Sequence, residues 1–450
     1  MSEGGLGAPM RHPINWEDPD FYDPEKLAAE ERRVFDICHG CRRCFNLCDS
    51  FPRLFDLIDE SETGELDSVD DSDFQRVADA CTLCDMCFMT KCPYVPPHDF
   101  DVDFPHLMLR HRAVEERQGR HGFSDHALAS TDRNGRLAGK MAPLANWANR
   151  RGNNLTRPAL ERILKVHRDA ELPPFHSRTL ERRAAAQAPK INEDAPAHGR
   201  KAVLYATCFS NYNNPSIGEA TRAVLARNGV ETEVVYPGCC GMPKLEQGDL
   251  PGVAEAAKHT SAVLGEWIDK GYKVIALVPS CALMLKFEWP LIVHDDPGVQ
   301  KLAESTMDVS EYVVDIARNE GLAEGLKPLD GGVTLHFACH ARAQNMGPKA
   351  AEMLRLIPGM DLDVQERCSG HGGAWGIKKE NFEVALKVGR PVARKIANSG
   401  KTHLASECPL AGTHIVQGLE KQSDDGRPAH AHSRHPIELM AQAYGYTEGA

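Results

Sequence analysis

The sequence predicts an α+β multidomain chain, with an α-helical, cysteine-rich N-terminal domain followed by two duplicated α/β halves. Three observations predict it. Cysteines recur in two tight runs, Cys38-Cys41-Cys44-Cys48 and Cys81-Cys84-Cys87-Cys92, each with a helical pattern ahead of it. Beyond residue 200, apolar strand-like segments alternate with helical ones, the order that builds parallel sheets. That alternation occurs twice with a cysteine after each strand, offset by 131 residues from Cys208 to Cys339 and by 127 from Cys281 to Cys408. Self-similarity of this kind marks an internal duplication.

The two runs carry the sharpest chemistry. The first reads CHGCRRCFNLC and the second CTLCDMCFMTKCP. Three closely spaced thiolates wrap one face of a [4Fe–4S] cubane, and in two-cluster chains the last Cys of each run serves the other cluster. The expected sets are Cys38, Cys41, Cys44 and Cys92 for one cluster, and Cys81, Cys84, Cys87 and Cys48 for the other. Zinc sites need no third Cys at the same step. Disulfides suit a secreted chain, and the N-terminus reads as no secretory leader. Two details depart from the bacterial pattern: Asp49 stands where Pro usually follows, and four residues rather than three precede Cys92.

At 450 residues the chain has room for about three domains of usual size. Its longest apolar runs, such as Val274–Pro279, fall far short of a membrane span. Fifteen cysteines without a leader point to a reducing, cytoplasmic compartment. A net charge of −12 argues against a general nucleic-acid binder. The charge is uneven. Residues 1–100 hold 22 acidic against 9 basic side chains, and residues 110–190 hold 17 basic against 8 acidic. An acidic face can steer a basic redox partner. The basic stretch suits either an anionic membrane surface, from the inner face of the cytoplasmic membrane, or the acidic first domain, the packing favoured here.

In chain order, residues 1–30 read as a tail able to wrap the first domain. Residues 31–105 form the helical two-cluster, ferredoxin-like domain, with helices at Pro24–Ile37 and Phe74–Ala80 around an acidic loop. Residues 106–198 form a basic, mostly helical linker region; a helix is expected at Pro158–Val166, and Gln187–Arg200 reads as the linker proper. His98, His106, His111, His121 and His126 repeat no ligand spacing. The first half, 199–325, has strands at Ala202–Ala206, Glu231–Tyr236 and Lys273–Val278, with helices at Ile217–Asn228 and Val253–Lys270. The second, 326–450, has strands at Val333–Ala338, Leu362–Gln365 and Thr402–Ser406, with helices at Pro348–Leu356 and Glu380–Asn398.

Strand C-terminal ends are where parallel α/β sheets place their sites. Cys208, Cys239, Cys240 and Cys281 should therefore converge, and four thiolates suit an iron–sulfur centre or zinc. Gly241 lets the backbone turn tightly beside them. The second half retains Cys339, Cys368 and Cys408, with Ser369 and Ala411 where further cysteines would stand. Three thiolates leave one position open or non-Cys, for which His340, His371 and His403 are candidates. A Cys3His set would also suit zinc, and a copy without metal is the other alternative.

The stretches TCFSNYNNPSIG (207–218), GCCGMP (238–243), LIPGMDL (356–362), GIKKENF (376–382) and HPIELMAQAY (435–444) resemble the family of the anaerobic glycerol-3-phosphate dehydrogenase C subunit. Its wider relatives are the CCG-containing iron–sulfur subunits of glycolate oxidase and heterodisulfide reductase. In heterodisulfide reductases, paired CCG halves hold non-cubane clusters that cleave a disulfide; other CCG halves are associated with zinc. The family motif is Cys, then CCG, then C-x2-C. Here Met284 and Ala411 replace its last Cys and Ser369 the second Cys of the second CCG.

The resulting expectation is an iron–sulfur electron-transfer subunit rather than a complete enzyme. It would relay electrons between a partner dehydrogenase, flavin-dependent or other, and a quinone or other acceptor. No G-x-G-x-x-G follows a strand, so no dinucleotide site of its own is expected. The alternatives are a heterodisulfide reductase-like or peroxide-linked oxidoreductase with its own substrate, and a membrane-docking subunit.

Overall fold

The computed structural model describes residues 9–423 and 429–446. Residues 1–8 of the expected tail, and 424–428 and 447–450 of the second half, lie outside the described residues.

The N-terminal part is helical. Helix α1 (Pro24–Cys41) starts where Asp23 accepts from the amides of Glu25 and Lys26, and Pro24 supplies a preset φ. It buries Leu27, Glu31, Val34 and Phe35, one face at helical spacing. It runs four residues past the expected end and so carries Cys38 and Cys41 in its own last turns. Helix α2 (Ser50–Asp59) was not expected; its Phe51, Leu54, Phe55 and Ile58 are buried. Helices α3 (Gln75–Ala80) and α4 (Phe104–Arg117) complete the layer. Aromatic contacts close the core, with Phe35 edge-on to Phe74 at 5.0 Å and Phe51 against Phe104 at 4.6 Å.

Five helices follow: α5 (Phe123–Ala129), α6 (Thr131–Lys140), α7 (Ala142–Asn149), α8 (Arg157–Leu164) and α9 (Leu180–Ala186). Of this basic segment, α4 packs on the acidic first domain as favoured, its Arg110 donating to Phe21 O (2.8 Å) and Arg112 to Ala78 O (2.7 Å). Later residues reach the α/β halves instead: Asp125 pairs with Lys378 (2.7 Å), Arg151 with Glu420 (2.6 Å) and Arg183 with Glu219 (2.8 Å).

The first half holds β1 (Lys201–Tyr205), β2 (Glu231–Val235), β3 (Lys273–Ala276) and β4 (Thr306–Asp308), all parallel in the order β2-β1-β3-β4. The second holds β5 (Val333–His336), β6 (Leu362–Gln365) and β7 (His403–Ser406), parallel in the order β6-β5-β7. The central three strands therefore share one topology in both halves. Central β5 is buried throughout and β1 at all but its first residue, as strands covered on both faces are. The short β4 has no expected counterpart. Helix Pro436–Ala443 turns back onto Pro215–Arg227 of the first half, burying Ile437, Leu439 and Met440 in a core shared by both sheets. Among the described residues, no helix is long and apolar enough to cross a membrane.

Candidate functional site

The helix α1 repeat puts Cys38 and Cys41 on one face, one turn apart. Arg42, at φ 52°, ends the helix and turns the chain toward Cys44 and Cys48. In the second run Leu83 (φ 47°) and Asp85 (φ 63°) take left-handed conformations, curling the loop round its own sulfurs. Cys87 then opens a wide turn whose end, Cys92 N, donates to Cys87 O at 2.8 Å.

Each run's last Cys stands among the first three of the other. Cys38 faces Cys92, Cys44 and Cys41, whereas Cys48 faces Cys84 and Cys81. Cys87 faces Cys84 and Cys81 and, across the gap, Cys44. Backbone amides point at the sulfurs: Ser50 and Phe51 at Cys48, Leu83 at Cys81, Met86 at Cys84, and Tyr94 and Val95 at Cys92. Such N–H groups favour thiolate. Burial acts the other way and pushes Cys44 and Cys84 up to about 12. These pockets therefore take thiolates only together with a cationic core, and an all-sulfur donor set ringed by amides fits an iron–sulfur cluster.

In the first half, Cys208, Cys239, Cys240 and Cys281 lie just beyond the C-terminal ends of β1, β2 and β3. Thr207, ahead of Cys208, is β-branched yet sits at φ 53° (ψ 155°), a conformation that costs about 1–3 kcal/mol. Gly241 (φ 81°) turns the chain after the Cys pair. Cys239 Sγ lies 3.8 Å from Cys208 Sγ, and Cys240 adjoins both Cys239 and Cys281. Hydrogen bonds from Cys208 and Cys240 pull the Cys239 thiol well down. Trp289 Nε1 donates to Cys240 O (3.0 Å) and Tyr205 Oη to Gly238 O (2.7 Å), fixing the loop from below.

Helix α6 covers this site, which sequence reasoning missed. Asp132 Oδ2 accepts from Cys239 N at 3.0 Å, its other oxygen accepts from Tyr236 Oη, and the Thr131 side chain reaches Cys208 and Cys239. The one available signal was the Ser130-Thr131-Asp132 triplet, which reads as a helix start in a segment otherwise taken for a linker.

In the second half, Cys339, Cys368 and Cys408 follow β5, β6 and β7. Gly370 (φ 79°) leaves no room for a side chain, since a Cβ there would lie 2.0 Å from Ala385 O. Its amide donates to Cys368 Sγ at 3.3 Å. Cys339 faces Cys84 of the second run as well as Cys368 and Cys408, and Cys408 faces Cys281 of the first half. The trio thus lies between the second cysteine run and the first-half quartet. Among the described residues, no three His, Cys, Asp or Glu side chains close to single-ion distance.

Comparison with known proteins matches this layout. The cysteine-rich domain called CCG matches residues 202–286 and again 333–415. The C subunit of anaerobic glycerol-3-phosphate dehydrogenase from Escherichia coli (strain K12) is 28% identical over 351 residues, 76% of this chain and 82% of that protein. The B subunit of fumarate reductase (CoM/CoB) from Methanothermobacter marburgensis is 28% identical over 230 residues, 50% of this chain and 43% of that one. Lactate utilization protein A from Bacillus cytotoxicus is 30% identical over 190 residues, 40% of this chain and 75% of that one. Two of the three are named as subunits of oxidoreductases. With both sheets ending in the matched cysteine loops, the chain belongs to the CCG cysteine-rich-domain family, alongside the C subunit of anaerobic glycerol-3-phosphate dehydrogenase.

Proposed function

We propose that this chain is an electron-transfer subunit, relaying electrons between a partner dehydrogenase and a quinone or other acceptor. One observation carries the reading: the cysteine groups form a continuous file. Cys44 faces Cys87, Cys84 faces Cys368, Cys339 faces Cys408, and Cys408 faces Cys281. Cys38, Cys41, Cys44 and Cys92 would hold one [4Fe–4S] cluster, and Cys81, Cys84, Cys87 and Cys48 a second. Cys208, Cys239, Cys240 and Cys281 would hold a further iron–sulfur centre or zinc. When bound, such clusters store and pass single electrons. The residues around them supply amide hydrogen bonds, exclude water and keep the groups in file.

The chain would divide into a helical two-cluster domain, a middle segment and two α/β halves, with the first boundary near residue 117 rather than 105. Helix α4 crosses residue 105 unbroken and packs on α1 and α3.

A membrane-docking role in the same complex has its own support. Phe123, Leu137, Met141, Leu144, Trp147, Leu155 and Ile163 are exposed on the middle helices and the turns between them, Leu155 by 78% and Phe123 by 69%. Exposed Arg133, Arg136, Lys140 and Arg150 stand on the same helical segment. Apolar side chains set among cations suit an anionic lipid surface. Of the other basic residues there, Arg157 is buried and donates to the carbonyls of His167, Arg168 and Ala170, and Arg151 is paired to Glu420.

Anaerobically purified protein is expected to carry about eight irons for the two cubanes, and more if a CCG half holds a cluster. Cys84→Ser should remove one cubane EPR signal and Cys240→Ser neither. A reduced protein with no cubane signal would refute the reading.

A further inference from the structure

We infer that the second α/β half holds a mixed thiolate–imidazole iron–sulfur centre, in which His371 completes the set Cys339, Cys368 and Cys408. The inference rests on the electron-relay reading and assigns the ligand that the second half lacks.

The duplication itself provides the comparison. The loop after β2 reads Cys239-Cys240-Gly241-Met242, and the loop after β6 reads Cys368-Ser369-Gly370-His371. The two glycines turn alike, with φ 81° and 79°. At aligned positions the second copy has lost a thiol at Ser369 and, two residues on, has an imidazole where the first copy has Met242; past the glycine the paths part, Met242 opening a helix and His371 leading into the turn of Gly372 (φ 54°) and Gly373 (φ 60°).

The three candidate histidines are not equivalent. Both ring nitrogens of His340 are engaged, Nδ1 with Ser280 Oγ (2.9 Å) and Nε2 with Leu83 O (3.4 Å). His403 is the first residue of β7, at the opposite end of that strand from Cys408. His371 Nε2 is closed off from solvent and has no hydrogen-bond partner among the described residues. A buried nitrogen left unpaired destabilises the fold, and a metal bond would remove that penalty. The His371 ring lies beside His340, the residue after Cys339, and 6.0 Å from the ring of His414. His414 Nε2 is also unpartnered there, but it stands on the helix after Cys408, outside the repeated loop.

Imidazole is neutral where thiolate is anionic, so a centre with three Cys and one His carries one negative charge fewer and a higher potential. Next to Cys84, such a centre would draw electrons out of the second cubane and toward the first half.

The test uses the full chain, labelled with 15N-histidine, purified anaerobically, reduced in steps and read by pulsed EPR. A centre distinct from the cubanes should show one strongly coupled 15N. His371→Cys should abolish that coupling and shift the centre to lower potential. His371→Ala should lose the centre's iron while both cubane signals persist, and His414→Gln should keep the coupling. No coupled nitrogen, a coupling that survives His371→Cys or vanishes in His414→Gln, or zinc in place of iron would each overturn the inference. Cubane signals without the coupled nitrogen refute this inference alone; loss of the cubane signals as well refutes the relay.

Discussion

Asp132 shows how much a single side chain can organise. It takes the Cys239 amide with one oxygen and the Tyr236 hydroxyl with the other, so it ties helix α6 to the cysteine loop. Asp132→Ala leaves two donors unpaired and is expected to cost about 1–3 kcal/mol in urea unfolding. An unchanged midpoint would show that water replaces the carboxylate. Asp308, at the end of β4, gives a pH signature. Burial pushes its carboxyl up to about 6, above its ordinary value of 3.8. The folded chain therefore holds that proton more tightly than the unfolded chain. The group's contribution is greatest at low pH and is lost as pH rises through about 6. From pH 5 to 7 the wild type should lose about 1 kcal/mol relative to Asp308→Asn. Parallel pH profiles for the two proteins would rule this out.

Among the elements, the segment ahead of α1 does the most unexpected work. It is a strap wedged between the N-terminal helices and the first half. Ile14 N donates to Leu291 O and Trp16 Nε1 to Ile292 O, both at 2.8 Å. Arg11 reaches Asp85 (2.7 Å), Asp103 (2.9 Å) and Glu288 (3.2 Å) and lies over the Phe88 ring at 4.4 Å. Glu288 and Asp85 are nearly fully buried; Glu288 also pairs with His106 (3.2 Å), and Arg11 is the cation that joins all three carboxylates. Arg11→Met should cost about 3–5 kcal/mol, because it strands buried carboxylates. A thermal melt matching the wild type would argue against the strap as a clamp. Restoring charge with Arg11→Lys should recover only part of the loss, since lysine cannot serve three carboxylates with one rigid fork.

For the whole molecule, the exposed apolar side chains of the middle segment are the feature to test. Replacing Leu144, Trp147 and Leu155 with serine should weaken binding to phosphatidylglycerol vesicles roughly tenfold or more, since each buried side chain contributes about 1.5–3 kcal/mol. Binding unaffected by the triple variant would exclude this segment. The same scale explains the cysteine file. The N-terminal helices and the first half share one apolar core, and the two α/β halves share another. The thiol groups are thus held in register by packing rather than by any one contact.

By itself, the sequence determined the local features. The spacing of Cys38–Cys48 and Cys81–Cys92, the strand–helix duplication from Ala202 to Ser406 and most strand limits follow from near-neighbour periodicity, which a linear chain displays directly. It left α2 hidden, because Ser50–Asp59 was read with the acidic loop beside it, and β4 hidden, because three residues carry no period. Only the tertiary structure decided what depends on distant segments meeting. It set Cys84 against Cys339 and Cys368, laid Thr131 and Asp132 over Cys208 and Cys239, placed Arg11 among three carboxylates, and left His371 Nε2 without a partner among the described residues. The reason is physical: strand and helix patterns are properties of one segment, whereas burial, charge compensation and an unpaired nitrogen are properties of the space between segments.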